Sequence, residues 1–267
     1  MVKTTFVQGM TSSNRATPWF TSQRPNARAR LRLFCFPYAG GGAAIYRLWP
    51  QSVPSEVEVC VAQLPGRGTR LREQPFTSLD ALVEAATEAI TPLLDKPFAL
   101  FGHSMGAMIS FELSRRLREL GRLQPEHLFI SGRRAPQLPN DDPISYNLPE
   151  AELRQELLRL NGTPKEVLEH PELMELMLPL LRADFSVVET YVYRPGVPLD
   201  CPLTAFGGLR DSEVSREQLE AWSEQTTGEF ALRMLPGDHF FLNDAQAQTL
   251  LLSALARELH QLLKRPT

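Results

Sequence analysis

The sequence predicts the α/β class: a mostly parallel sheet flanked by helices, with a helical lid insertion late in the chain. Three observations predict it. Six short runs, at 31–36, 57–63, 97–101, 127–131, 202–206 and 230–235, are near-continuously apolar rather than alternating, as strands covered on both faces are. Amphipathic helical patterns at 79–94, 105–120, 213–226 and 246–263 lie between and after them, the alternation that joins parallel strands through crossover helices. The rhythm then breaks once, between 136 and 195, where no strand pattern appears and the segment is too long for a loop.

Taken in order, residues 1–18 read as a flexible polar arm and residues 19–267 as one domain, with Trp19-Phe20 anchoring the arm onto the body. The arm lacks the apolar core of a signal peptide. The first run leads into a glycine-rich loop, Phe36-Pro37-Tyr38-Ala39-Gly40-Gly41-Gly42, and the run at 97–101 leads into Gly102-His103-Ser104-Met105-Gly106 and a helical pattern. The insertion opens on Pro139, Asp141, Asp142 and Pro143 and continues through helix-forming segments at 150–160, 164–169 and 171–192. Its position before the 202–206 strand suits a lid above the carboxyl edge of the sheet. Its apolar content, from Leu173 through Met174, Leu176, Met177, Leu178 and Leu180 to Leu181, fits the lining of an acyl channel or a core helix of the main domain.

A chain of 267 residues is long enough for one large α/β domain, and 43% hydrophobic with 22% charged residues is an ordinary globular composition. A formal net charge of −3 argues against a nucleic-acid binder, which needs a basic surface to neutralise phosphates. No apolar stretch nears the roughly 20 residues needed to cross a bilayer, so a cytoplasmic protein without membrane contact is expected. Cys35, Cys60 and Cys201 sit in or beside apolar runs with no C-x-x-C spacing, which points to buried free thiols and not to disulfides or a zinc site.

The strongest chemical signal is Ser104. Its G-x-S-x-G motif stands between a strand and a helix, so the serine occupies a tight strained turn that needs glycines on either side. The helix beginning at Met105 aims its free N–H groups at any oxyanion formed there. A serine hydroxyl needs a base, oriented by a third group. Of the five histidines, His103 is expected to project away from its neighbour, His127 opens a strand, His170 lies in the insertion and His260 in the last helix. His239 remains, in the loop Pro236-Gly237-Asp238-His239-Phe240-Phe241-Leu242 after the last strand.

Asp211, in the loop after the 202–206 strand, is the orienting acid, with Glu213 and Asp238 as competing carboxylates. The order Ser104, Asp211, His239 is that of the α/β-hydrolase arrangement. The oxyanion donors are the Met105 N–H and one from Ala39 or Tyr38. A dinucleotide-binding reading of the glycine loop fails, because the third fingerprint glycine would fall at Ile45.

The motifs Phe36-Pro37-Tyr38-Ala39-Gly40-Gly41, Leu64-Pro65-Gly66-Arg67-Gly68, Phe101-Gly102-His103-Ser104-Met105-Gly106, Ser131-Gly132-Arg133-Arg134-Ala135-Pro136 and Gly237-Asp238-His239-Phe240-Phe241-Leu242 together resemble type II thioesterases. These are the stand-alone α/β-hydrolases of polyketide and non-ribosomal peptide synthesis, and the similarity runs from about Trp19 to the end. The resemblance implies acyl thioesters on the phosphopantetheine arm of acyl or peptidyl carrier proteins, an editing role that removes aberrant or stalled units, and no cofactor or metal. It maps nucleophile, acid and base onto Ser104, Asp211 and His239, and oxyanion donors onto Met105 and Ala39. A small-molecule carboxylesterase and a non-catalytic binding scaffold are the other readings. Arg67, Arg70, Arg72, Arg133 and Arg134 are either carrier- or phosphate-facing or structurally paired. A monomer is the simplest expectation.

Overall fold

The structure is a computed structural model that describes residues 18–265 except 141 and 164, and the backbone alone of Lys165. The arm expected over 1–18 therefore lies, apart from Pro18, outside the described residues, as does Asp141 of the proline- and aspartate-rich stretch.

Strands β1 (Phe20–Thr21), β2 (Leu31–Phe36), β3 (Val57–Ala62), β4 (Phe98–His103), β5 (His127–Ser131), β6 (Leu203–Gly208) and β7 (Phe230–Leu235) form one sheet among the described residues, in the order β1-β3-β2-β4-β5-β6-β7. β2 through β7 are parallel and β1 pairs antiparallel with β3. This is the α/β-hydrolase type of sheet, as expected. Alternate side chains point to opposite faces. Phe34 and Phe36, Phe98 and Leu100, and Leu128 and Ile130 pack with α1 (Leu79–Ile90) and α2 (Met105–Glu119). Leu31, Leu33, Phe101 and Phe129 pack on the other face against α7 (Ala245–Lys264). Continuous apolar runs result because both faces are dry.

The chain leaves β2 to one side for β3 and returns to its other side for β4. The carboxyl ends of β2 and β4 thus flank the point where strand order reverses, the place where open α/β sheets hold ligands. The loops after β2 and β4 carry the glycine-rich segment and Ser104.

Several elements differ from the pattern in length. β4 runs two residues further than expected because Gly102 pairs with Phe36 and His103 with Ser131. The helical pattern at 79–94 ends at Ile90 in a 3₁₀ turn, Thr91–Leu93, where Pro92 lacks an N–H. The pattern at 213–226 becomes α6 (Arg216–Glu220), started by a Ser215/Gln218 capping box, and a 3₁₀ turn at Ala221–Gln225. β1, with no pattern of its own in the sequence, arises where Trp19 and Phe20 anchor: Phe20 is buried against Phe34 and Phe36, and Arg70 lies over the Trp19 ring.

No strand occurs between β5 and β6 among the described residues, only α3 (Glu150–Leu160), α4 (Lys165–Glu169) and α5 (Pro171–Glu189). Their apolar faces meet in a separate small cluster of Leu153, Leu157, Leu168, Met174, Leu178 and Leu181. Leu173 and Leu176, on the other side of α5, are exposed.

Two glycines hold β4, α2 and β2 together. A Cβ on Gly102 would overlap the Gly106 carbonyl, and one on Gly106 would overlap the Phe36 carbonyl. Gly106→Ala is expected to lower the unfolding free energy by about 3 kcal/mol or more, since backbone on both sides leaves nothing to yield. Urea denaturation measures it; a wild-type midpoint would mean α2 slides freely along β2.

Candidate active site

Ser104 closes β4 and caps α2 with φ 52° and ψ −110°, a left-handed backbone that a serine adopts only under constraint. The constraint is visible. Its N–H donates to the Ser131 carbonyl at 2.8 Å, and its own carbonyl accepts from Ala107 N–H at 3.0 Å. The next residue, Met105, opens the helix, and its N–H has no hydrogen-bond partner among the described residues.

β6 and β7 deliver the other two residues. The Asp211 side chain is fully buried and uses both oxygens: Oδ1 accepts from the N–H groups of Glu213 (2.8 Å) and Val214 (3.1 Å), and Oδ2 accepts from His239 Nδ1 at 2.9 Å. An ionised carboxylate only accepts, so Nδ1 carries the proton and Nε2 is left with its lone pair. His239 and Ser104 line one cavity of about 170 Å³, with no hydrogen bond between them among the described residues. Leu157 from α3 and Leu181 and Phe185 from α5 line it from the insertion.

The competing carboxylates are engaged elsewhere. Glu213 is held by Arg159 of α3 at 2.7 and 3.0 Å, which keeps its carboxyl below the ordinary value. Exposed Asp238 accepts from Phe240 N–H at 2.9 Å and from Asn161 Nδ2 at 3.4 Å. Both therefore tie the β6 and β7 loops to the carboxyl end of α3.

The remaining histidines sit apart from the cavity. His103 is fully buried, with Nδ1 against Ser131 Oγ at 2.8 Å and its ring 5.3 Å from that of His239. Burial, reinforced by His239, pushes its imidazole well below the ordinary value, so it stays neutral. His127 bonds Thr204 at 2.9 Å and is pushed down to about 4 by burial. His170 and His260 are exposed. The three cysteines are free and buried, with the Cys60 and Cys201 thiols pushed up to about 12.

In the loop after β2, Gly41 N–H donates to the Tyr38 carbonyl at 2.9 Å and Gly40 N–H to Asp184 Oδ2 at 2.7 Å. The Tyr38 and Ala39 N–H groups remain without a partner among the described residues, and Ala39 lines the cavity beside Ser104.

Asp184, one of four acids on α5, carries no signal in the sequence that sets it apart from Glu172, Glu175 and Glu189, yet it is the one of them on the buried face. It is buried and accepts from Arg67 at 2.7 and 2.9 Å, while Arg67 also donates to the Gly41 carbonyl at 2.9 Å. One ion pair thus fastens the insertion, the β3 loop and the candidate oxyanion loop. Arg67 is accordingly internal and does not face a partner. Arg70 is likewise occupied by Glu73 and the Gln63 carbonyl, and Arg134 by Asp142 and Asn140. Asp184→Ala, which strands a buried guanidinium, is expected to cost about 3–5 kcal/mol in urea denaturation. A loss under about 1 kcal/mol would mean that water reaches Arg67.

A family profile described as a thioesterase domain matches residues 31–261. The chain belongs to the thioesterase family. This thioesterase is 50% identical over 237 residues to the gramicidin S biosynthesis protein GrsT of Aneurinibacillus migulanus, covering 89% of this chain and 93% of the relative. It is similar to the solved RedJ thioesterase from the prodiginine pathway of Streptomyces coelicolor, at 40% identity and TM-score 0.82, with 94% of this chain and 95% of that one covered. It is also similar to BorB, the type II thioesterase of the borrelidin cluster, at 35% identity and TM-score 0.83, covering 92% and 99%. Among the described residues no helix of the thioesterase is long and apolar enough to cross a membrane, and no group of three or more His, Cys, Asp or Glu is arranged to hold a metal.

Proposed function

We propose that this thioesterase is a serine hydrolase that removes acyl groups from the phosphopantetheine arm of acyl or peptidyl carrier proteins, as an editing enzyme of polyketide or non-ribosomal peptide synthesis in the cytoplasm. The observation that carries the chemistry is the Asp211–His239 hydrogen bond, which leaves Nε2 free at the cavity that Ser104 lines. The names of GrsT, RedJ and BorB, each tied to an assembled natural product, support the carrier-bound substrate.

Ser104 Oγ attacks the thioester carbonyl as His239 Nε2 takes its proton. Asp211 holds the ring in that tautomer and stabilises the imidazolium. The Met105 and Ala39 N–H groups, both unclaimed by the fold, hold the tetrahedral oxyanion, each supplying about 3 kcal/mol. Collapse expels the pantetheine thiolate, which receives the proton from His239. Water, deprotonated by the same nitrogen, then cleaves acyl-Ser104 and releases the acid.

Incubating the enzyme with a panel of acyl-loaded carrier proteins, read by intact-mass spectrometry, tests reaction and partner together. The expected result is deacylation with a higher specificity constant than for the same acyl group on a small thiol. Equal constants would remove the carrier from the account, and a preference for oxygen esters would make the enzyme a carboxylesterase.

A further inference from the structure

Arg133 stands two residues beyond Ser131, whose carbonyl holds the Ser104 N–H. Two residues span at most about 7 Å, so this cation is rooted within a side-chain length or so of the reacting serine. It lines the catalytic cavity and also a second cavity of about 410 Å³, walled by Phe111, Tyr191, Tyr193 and Trp222. Burial, with Arg134 beside it, pushes its guanidinium down to about 10, so the half-buried side chain is charged at neutral pH.

Among the described residues that guanidinium makes no hydrogen bond and no ion pair. Its neighbours are all occupied. Arg134 has Asp142 and Asn140. Glu189 accepts from the Ser145 and Tyr146 N–H groups at 2.8 and 3.0 Å and from Ser145 Oγ. Glu112 takes Arg115 at 2.8 Å and the Tyr191 hydroxyl at 2.5 Å, and Glu213 takes Arg159. A charged fork with five unused donors, partly open to the two cavities, can take an acceptor without breaking any contact of the fold, and no described acceptor of the protein turns to meet it.

We propose that Arg133 is the receptor for an oxyanion carried by the substrate, bound in bidentate fashion where the two cavities meet. Two parts of a carrier-bound thioester supply that chemistry: a carboxylate at the far end of the acyl group, or the phosphate of the pantetheine arm. The proposal rests on the thioesterase function above and adds a charge preference to it.

Butyryl and succinyl thioesters, each made on pantetheine and on phosphopantetheine, separate the sources. For Arg133→Gln against wild type, one ratio of specificity constants is expected to fall about tenfold to a hundredfold, the range of a charge-assisted contact. A fall in the succinyl-to-butyryl ratio identifies the carboxylate, and a fall in the phosphopantetheine-to-pantetheine ratio the phosphate. Arg133→Lys, which keeps the charge without the fork, is expected to restore part of the lost ratio. Ratios that stay at the wild-type values overturn the proposal, however far absolute rates drop.

Inhibition of wild type by free phosphopantetheine against pantetheine, and by succinate against butyrate, gives the same reading should the variants not fold. Equal inhibition within both pairs overturns it. Failure of wild type to deacylate any acyl-loaded carrier protein would instead overturn the proposed function.

Discussion

A Ser104→Ala variant is expected to lose about 10⁶-fold in kcat, the scale on which removal of a nucleophile acts, while retaining substrate binding. Among the described residues the side chain makes no hydrogen bond, so the melting temperature is expected to stay near wild type. The backbone at 104 is strained for either residue, and the constraints on it come from the Ser131 carbonyl and the α2 hydrogen bonds, which alanine keeps. Residual hydrolysis above the uncatalysed rate would come from the Met105 and Ala39 amides and from binding. A serine-directed fluorophosphonate is expected to add one covalent label to wild type and none to the variant, read by intact mass. A label of equal extent on the variant would move the nucleophile to another residue.

An Asp211→Asn variant is expected to lower kcat about 10⁴-fold without unfolding the protein. Its direction follows from the two ends of the carboxylate. Oδ1 accepts from two backbone N–H groups, so the asparagine oxygen is held at that end and the amide nitrogen faces His239. Nδ1 must then accept, the ring proton moves to Nε2, and the nitrogen that should take the serine proton is blocked. Steady-state kinetics and a denaturation curve check both halves. Near-normal turnover would transfer the orienting role to Glu213 or Asp238, despite their contacts with Arg159 and Asn161.

Local features were legible wherever they depend on periodicity or a turn. The β2, β5 and β7 boundaries follow directly from their apolar runs; β5 is a strand dry on both faces, which needs an unbroken apolar segment, while β7 is a half-buried edge strand whose run is broken by Arg233. The boundaries of β4 and β6 were less so. Their last residues are glycines and a histidine, whose strand character comes from the pairing partner and not from propensity. Likewise the helical pattern at 213–226 does not reveal that Asp211 holds the N–H groups of Glu213 and Val214, leaving the regular helix to begin later.

By itself the sequence determined the class of fold, the Ser104 turn and the order in which serine, acid and histidine arrive, because each is written in neighbouring residues and their spacing. Only the tertiary structure brings Asp211, and not Glu213 or Asp238, into a hydrogen bond with His239, for the three similar carboxylates lie on adjoining loops and differ in which donor reaches them. It also decided that Arg67 is an internal brace, through a partner 117 residues away, and that the Arg133 guanidinium is without a hydrogen-bond or ion-pair partner among the described residues. Ion pairs and desolvation depend on distance in space, and residues so far apart along the chain acquire a distance only when the sheet has closed and the insertion has packed over it.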